Sequence, residues 1–148
     1  MIPAKITRKE QPLVVTRDQI KALERAIITE LEPVDTPLEH HFIPGVYIRK
    51  LTLPAGTVLT GKVHSTIHGC IVAKGRIIVA SEEGGTKELV AGDVFVSHPG
   101  VKRAGYAIED TVFINVHANA EETRDLEVLE SQLIAPEALE YTKVEVLA

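Results

Sequence analysis

Between residues 42 and 118 the chain consists of short segments rich in Val, Ile and Thr, and turn-forming residues separate them. The separating turn signals are Pro44-Gly45, Pro54-Ala55-Gly56, Gly84-Gly85, Gly92-Asp93 and Pro99-Gly100. Short strands with turn signals at intervals of about ten residues are typical of an antiparallel sandwich or barrel. The sequence therefore predicts a small, mostly β domain over these residues.

A helix is predicted on each side of the β-rich region. Thr16 and Gln19 have the spacing of a capping box. Apolar residues then recur at helical intervals before Pro33, at Ile20, Leu23, Ile27 and Leu31. The second helix ends before Pro136 and has its apolar positions at Leu126, Leu129 and Leu133. We expect an N-terminal arm and helix over residues 1–41, a barrel over 42–118, and a C-terminal helix and tail over 119–148.

Composition and absent motifs exclude several classes of function. The 148 residues fit one domain, and the formal net charge of −5 argues against sequence-independent nucleic-acid binding. The chain has no P-loop and no dinucleotide fingerprint, so we expect no nucleotide cofactor. It has no apolar run near the ~18 residues of a membrane span and no signal-peptide core. We therefore expect a soluble, cytoplasmic protein with no membrane partner.

The only cysteine, Cys70, excludes a disulfide within the chain and a zinc site built on several thiolates. It lies at the start of an apolar segment, where we expect a buried and inert thiol. Histidine is the remaining ligand chemistry. His64 and His68 are four residues apart among Gly and β-branched residues, which disfavour a helix. On one straight strand they would lie ~13 Å apart, so a shared metal site requires a bend between them.

The residues around this pair resemble the first motif of the cupin family. Gly56, His64, His68 and Gly75 keep its spacing, with Lys62 where the first histidine belongs and His68 in place of the glutamate. The second motif is partly kept as well. Gly92 is followed by a Pro-Gly turn, but Arg103 stands where the motif has a histidine. The resemblance covers about residues 46–117.

The resemblance implies a cupin-type double-stranded β-helix, or jelly-roll barrel, with flanking N- and C-terminal helices. It assigns His64 and His68 to metal-ligand positions, and His117 is our preferred third ligand, with His98 second. Such a cluster would suit a divalent ion such as Fe, Mn, Ni or Zn. A cupin barrel without metal is the alternative. We expect the adjacent pair His40-His41 to lie at the surface or an interface.

Three further residues are candidates for binding an anionic ligand in the barrel mouth. Arg103 offers a planar fork for a carboxylate or phosphate, and Lys62 is predicted to lie near it. Tyr106 either lines the same mouth or packs on the outer face. The alternative is that Arg103 forms an ion pair with Glu109 or Asp110 in a hairpin.

Three functions follow from the resemblance: a metal-dependent enzyme of unassigned reaction, a small-ligand binder, and a structural or assembly protein. The third arises because residues 99–118 and the following acidic helix resemble cupin-like proteins encoded by tailed bacteriophages, which would allow a virion location. We also expect a homo-oligomer, most simply a dimer. Residues 1–31 carry six bases and four acids (+2), residues 109–148 two bases and ten acids (−8), and these ends could pair between subunits.

Overall fold

The computed structural model describes residues 15–141, and within that range the chain forms nine strands between two helices. In chain order the elements are α1 (Arg17–Glu30), β1 (Leu38–Ile43), β2 (Val46–Leu53), β3 (Val58–Thr60), β4 (His68–Lys74), β5 (Arg76–Ser81), β6 (Gly85–Val90), β7 (Val94–Ser97), β8 (Arg103–Ala107), β9 (Thr111–Ala118) and α2 (Leu126–Leu133). The predicted mostly β architecture with a helix on each side is confirmed. The first strand begins four residues before the expected boundary at residue 42.

The strands form two antiparallel sheets. The five-stranded sheet has the order β1-β2-β9-β4-β7, and the four-stranded sheet has the order β3-β8-β5-β6. Most neighbours in each sheet are distant in sequence, for example β2 and β9. The chain therefore crosses repeatedly from one sheet to the other, as in a jelly roll.

The core lies between the sheets because alternate residues of each strand face inwards. The buried aliphatic cluster draws on both sheets and contains Leu51, Leu53, Val72, Ile77, Val79 and Ala107. Burial of an aliphatic side chain larger than alanine contributes about 1.5–3 kcal/mol. Aliphatic packing thus holds the two sheets together in a chain that is 4% aromatic.

The predicted capping box starts α1. The Thr16 hydroxyl accepts a hydrogen bond from the Gln19 backbone at 3.2 Å, and the Gln19 side chain accepts one from the Thr16 backbone at 2.9 Å. Ile20 is buried, and α1 packs against β3. On this side of the barrel, buried Lys102 donates to Glu24 of α1 at 2.8 Å and to Glu137 at 3.0 Å.

Helix α2 lies across one end of the barrel. Its N-cap, Asp125, accepts hydrogen bonds from the first turn, and buried Leu129 and Leu133 pack against Tyr47 of β2. The end of α2 is fixed by backbone hydrogen bonds from Ser65 to Leu133 (2.8 Å) and from Ala135 to Val63 (2.9 Å). The helix therefore covers the end of the barrel at which the loop between β3 and β4 lies.

No helix between residues 15 and 141 combines the length and apolar character needed to cross a membrane.

Candidate metal centre and ligand cavity

Three histidines, two of them four residues apart and the third distant in sequence, meet at the covered end of the barrel. His64, His68 and His117 each offer a ring nitrogen, and these nitrogens all lie within 4.8 Å of one another. The ring centroids are 4.4 Å apart for His64 and His68, 4.4 Å for His68 and His117, and 5.3 Å for His64 and His117. The structure thus brings together the two histidines of the first motif and the preferred third candidate.

Strand pairing and one turn explain this convergence. β4 and β9 are adjacent antiparallel strands in which Gly69 pairs with Val116, so His68 and His117 lie side by side on the inner face. His64 lies before β4, in a loop whose backbone forms a bridge with Ile134. The bend after His64 supplies the change of direction that the four-residue spacing requires.

Burial keeps the three imidazoles neutral. It lowers the pKa of His64 to about 4, and the nearby positive charge of Arg49 acts in the same direction. Burial also lowers the pKa of His117 to about 4. For His68, burial and the other two histidines lower the pKa to about 2. All three rings therefore carry free lone pairs at neutral pH, which is the form that binds metal ions.

One nitrogen of this cluster is available to coordinate a cation. Nδ1 of His117 is buried and has no hydrogen-bond partner among residues 15–141. A buried polar atom without a partner costs about 1–3 kcal/mol. Coordination would remove this cost, and three neutral imidazoles suit the divalent ions Fe, Mn, Ni and Zn.

A fourth histidine joins the cluster through Tyr47, which corrects one expectation. His40 Nδ1 lies 2.6 Å from the Tyr47 hydroxyl, and the Tyr47 ring stacks on His117 with centroids 5.8 Å apart. We expected both His40 and His41 at the surface or an interface. His41 is exposed, but His40 lines the cavity, because β1 starts early enough to turn alternate residues inwards.

The second candidate for the third ligand, His98, lies outside the cluster. Its side chain is buried, with Nε2 3.6 Å from a Glu83 oxygen and its ring edge towards Tyr141.

A cavity of about 530 Å³ opens beside the three histidines. This volume lies in the range of about 300–1,000 Å³ that is common for small-molecule sites. Its inner end is aliphatic and its covered end includes residues of α2. The residues that line the cavity include Arg49, Leu51, Leu53, Ile77, Val79, Arg103, Phe113 and Glu130.

Arg103 faces the cavity but its charge is already compensated. The guanidinium donates to the Ser97 hydroxyl at 2.5 Å and to Glu83 at 3.4 Å, and it lies 5.0 Å from the centre of the Phe95 ring. Its acidic partner is thus Glu83 on the neighbouring hairpin, and the expected alternative of Glu109 or Asp110 is wrong.

The structure does not bring the other two anion-site candidates to the cavity interior. Lys62 lies at the rim, where its ammonium group pairs with Glu130 of α2 and its side chain is 63% exposed. Tyr106 pairs in register with Val58 and Ile78 and is not among the lining residues that the structure describes. Its position on β8, three residues after inward-facing Arg103, turns it to the outer face.

Sequence reasoning missed Arg49, which lines the cavity from β2. In register it pairs with His40 on one side and Asn115 on the other. A signal was present, because Arg49 alternates with Tyr47 and Leu51 on a face of β2 whose other members, including Leu53, are apolar or aromatic. A charged residue at an inward position of such a strand is unusual.

Cys70 is buried as expected. Burial raises the pKa of its thiol to about 11, and its sulfur accepts a hydrogen bond from Asn115 at 3.4 Å.

No family model and no curated protein sequence matches this chain. Its structure is similar to that of KdgF from a Halomonas species, with 20% identity and a TM-score of 0.52, over 65% of this chain and 88% of that one. A mutant of salicylate 1,2-dioxygenase from Pseudoaminobacter salicylatoxidans is 18% identical with a TM-score of 0.54. That match covers 78% of this chain and 35% of the dioxygenase.

A third similar structure is described as an RmlC-like cupin family protein with a double-stranded β-helix fold, from Methanocaldococcus jannaschii. It is 18% identical, with a TM-score of 0.49, over 60% of this chain and 84% of that one. None of the three is described as a bacteriophage protein. At such identities the similarity concerns the fold alone. The sheet order and the two matches with TM-scores above 0.5 show a mostly β fold of two antiparallel sheets, a double-stranded β-helix with flanking helices.

Proposed function

We propose that the protein binds a divalent first-row metal ion through His64, His68 and His117 and takes a small anionic ligand into the adjoining cavity. The observation that carries this proposal is the convergence of three neutral imidazoles within 4.8 Å at the wall of a partly covered cavity. Three protein ligands leave coordination positions open for water or a substrate. A bound ion would supply Lewis-acid chemistry or activate a coordinated group.

The residues around the cluster provide orientation and exclude water. Helix α2 covers the mouth, and the pair of His40 and Tyr47 offers a hydrogen-bonding group beside His117. Lys62 and Glu130 join the loop before His64 to α2 across the rim. This arrangement supports a metal-dependent enzyme of unassigned reaction or a small-ligand binder that uses the same cavity.

Metal analysis of untagged protein tests the proposal. We expect close to one divalent ion per chain in the wild type and loss of that ion in the double variant His64→Ala/His68→Ala. His41→Ala is the matched control, because His41 is exposed and lies apart from the cluster. Sub-stoichiometric metal that the double variant leaves unchanged would overturn the proposal. If the protein also bound no carboxylate and purified in a large assembly, the structural or assembly function would replace it.

We further propose that the functional unit is a homodimer formed through the outer face of the five-stranded sheet. Register places apolar residues side by side on this face: Ile48, Ile71, Val94, Val96, Ile114 and Val116. Val94 is 68% exposed and Val96 45%. α1 packs on β3 of the other sheet, and α2 packs at the barrel mouth.

A second copy of this chain fits this face better than a dissimilar partner. A face of five short strands measures about 20 by 25 Å. This area is enough to form most of the centre of an interface that buries roughly 800 Å² on each partner. A twofold interface needs one self-complementary patch. The aliphatic patch over β9, β4 and β7 meets that condition, and the ion pair of Lys50 with Glu39 borders it on β2 and β1. The basic N-terminal and acidic C-terminal regions already meet within one chain, since Arg17 donates to the Glu137 and Leu139 carbonyls.

A further inference from the structure

The cavity contains one positive charge that the protein does not balance. Arg49 lies on the inner face of β2, and burial lowers its pKa. Between residues 15 and 141, no carboxylate lies within ion-pair distance of its guanidinium, whereas Arg103 pairs with Glu83. The one carboxylate in the described cavity wall, Glu130, pairs with Lys62. A half-buried charge without a counter-charge is unfavourable, so this position favours an anion from outside the chain.

The position of Arg49 relates this anion to the histidine cluster. Arg49 is two residues from Tyr47 on the same face of β2, and Tyr47 pairs in register with His117. Two residues of a strand span about 6.6 Å. The positive charge of Arg49 acts on both His64 and His117. A carboxylate held by the planar fork of this arginine would therefore lie next to the histidines.

The rest of the cavity selects what is attached to that carboxylate. Arg103 and Asn115 also line the cavity, but Glu83 and Cys70 already engage them. The inner end of the wall is made of aliphatic and aromatic side chains: Leu51, Leu53, Leu59, Ile77, Val79 and Phe113. These side chains offer no partner for a second charge or a row of hydroxyl groups, whose burial without partners is unfavourable. The wall thus favours an apolar chain.

We infer that Arg49 is the carboxylate subsite for an aliphatic monocarboxylic acid whose hydrocarbon chain occupies the inner end of the cavity. This inference rests on the proposed function in that it uses the same cavity. It names the ligand class and assigns its recognition to Arg49 instead of Arg103, Lys62 or Tyr106.

Titration of metal-free protein with hexanoate tests the inference separately from metal binding. We expect hexanoate to bind and raise the melting temperature of the wild type, and hexanol, hexylamine and succinate to bind at least tenfold more weakly. Arg49→Gln should weaken hexanoate binding at least tenfold, and Arg49→Lys less, because it keeps the charge but loses the fork. Lys87→Gln is the control, because it removes an exposed positive charge on β6 that does not line the cavity, and it should bind hexanoate as the wild type does.

The outcomes separate the two proposals. His64→Ala/His68→Ala should lose metal yet still bind hexanoate in the metal-free state, so failure of the metal site would leave the Arg49 subsite standing. Equal binding of hexanoate by Arg49→Gln and wild type would overturn the inference. Equal binding of hexanol and hexanoate by the wild type would also overturn it. Arg49→Lys keeps the test valid if Arg49→Gln does not fold.

Discussion

Single residues of the histidine cluster give the metal-free protein a defined response to acid. In the folded chain the pKa values of His64 and His117 are about 4, against about 6.5 for an exposed histidine. Between these values the unfolded chain binds more protons, so the free energy of unfolding falls as the pH is lowered. We expect the urea midpoint of metal-free protein to be constant above pH 7 and to fall between about pH 6.5 and 4.

Replacement of His64 and His68 by Gln is the control for this response. The double variant should lose less stability than the wild type over the same pH interval, because fewer buried imidazoles remain to be protonated. Equal pH dependence in the two proteins would show that other groups cause the loss.

The backbone conformation at Gly75 leads to a second prediction, about the stability of a glycine substitution. Gly75 adopts φ +85°, and a Cβ there would overlap the carbonyl oxygen of Asp110. Gly92 has a similar φ of +97° but open space around it. Gly92→Ala should cost the conformational penalty alone, about 1–2 kcal/mol, and Gly75→Ala about 1–3 kcal/mol more, from the clash. Chemical denaturation of both variants measures the difference, and equal losses would contradict the overlap.

Some of the site could be predicted from single residues and some could not. The distance along a strand showed that His64 and His68 need a bend to meet, and the bend is present. Arg49 and His40 were missed because the inward or outward direction of a residue depends on strand phase. That phase was set by where β1 and β2 begin, and β1 begins earlier than the turn signals indicated.

Among the elements, α1 is held to the barrel by a small number of polar contacts. Glu24 accepts from buried Lys102 at 2.8 Å and from the Thr60 hydroxyl. Removal of a partner from a buried charge leaves that charge poorly compensated. Glu24→Ala should therefore destabilise the protein by about 1–3 kcal/mol and raise amide hydrogen exchange in α1. Exposed Glu32 supplies the control, and a Glu24 variant as stable as Glu32→Ala would contradict this role.

Helix periodicity and capping predicted both helices well, because these signals are local. The capping box at Thr16 and the end of α2 before Pro136 are both present. What lies under each helix could not be predicted, because it depends on which strands are neighbours. No local pattern indicates that α2 packs on Tyr47, because Tyr47 is 82 residues before Leu129.

At the scale of the whole molecule, we predict that the chain forms a homodimer in solution. Light scattering after size-exclusion chromatography should give twice the chain mass of 16.2 kDa. Ile114→Lys places a charge at the centre of the outer face and should give a monomer. Ile28→Lys on α1, where the native side chain is 76% exposed, should remain dimeric. A wild-type monomer, or equal behaviour of the two variants, would overturn the proposed interface.

The strand order explains why this face was not predicted. Residues 112–116 are apolar except for Asn115, a pattern that fits a strand buried on both sides. In the fold only alternate residues of β9 face the core, and the others form the outer face of the sheet. Pairing of β9 with β2 and β4 cannot be read from sequence spacing, because those strands are distant in the chain.

The backbone bridge between His64 and Ile134 couples the histidine cluster to the C-terminal part of the chain. Hydrogen bonds on both sides of this bridge fix the His64 loop to the end of α2. Such coupling is reciprocal: if docking of α2 positions a ligand for an ion, the ion must in turn retain α2 on the barrel. Metal occupancy should then protect the segment before α2 from proteolytic cleavage. The extent of cleavage in this segment would therefore indicate whether the histidine cluster holds an ion.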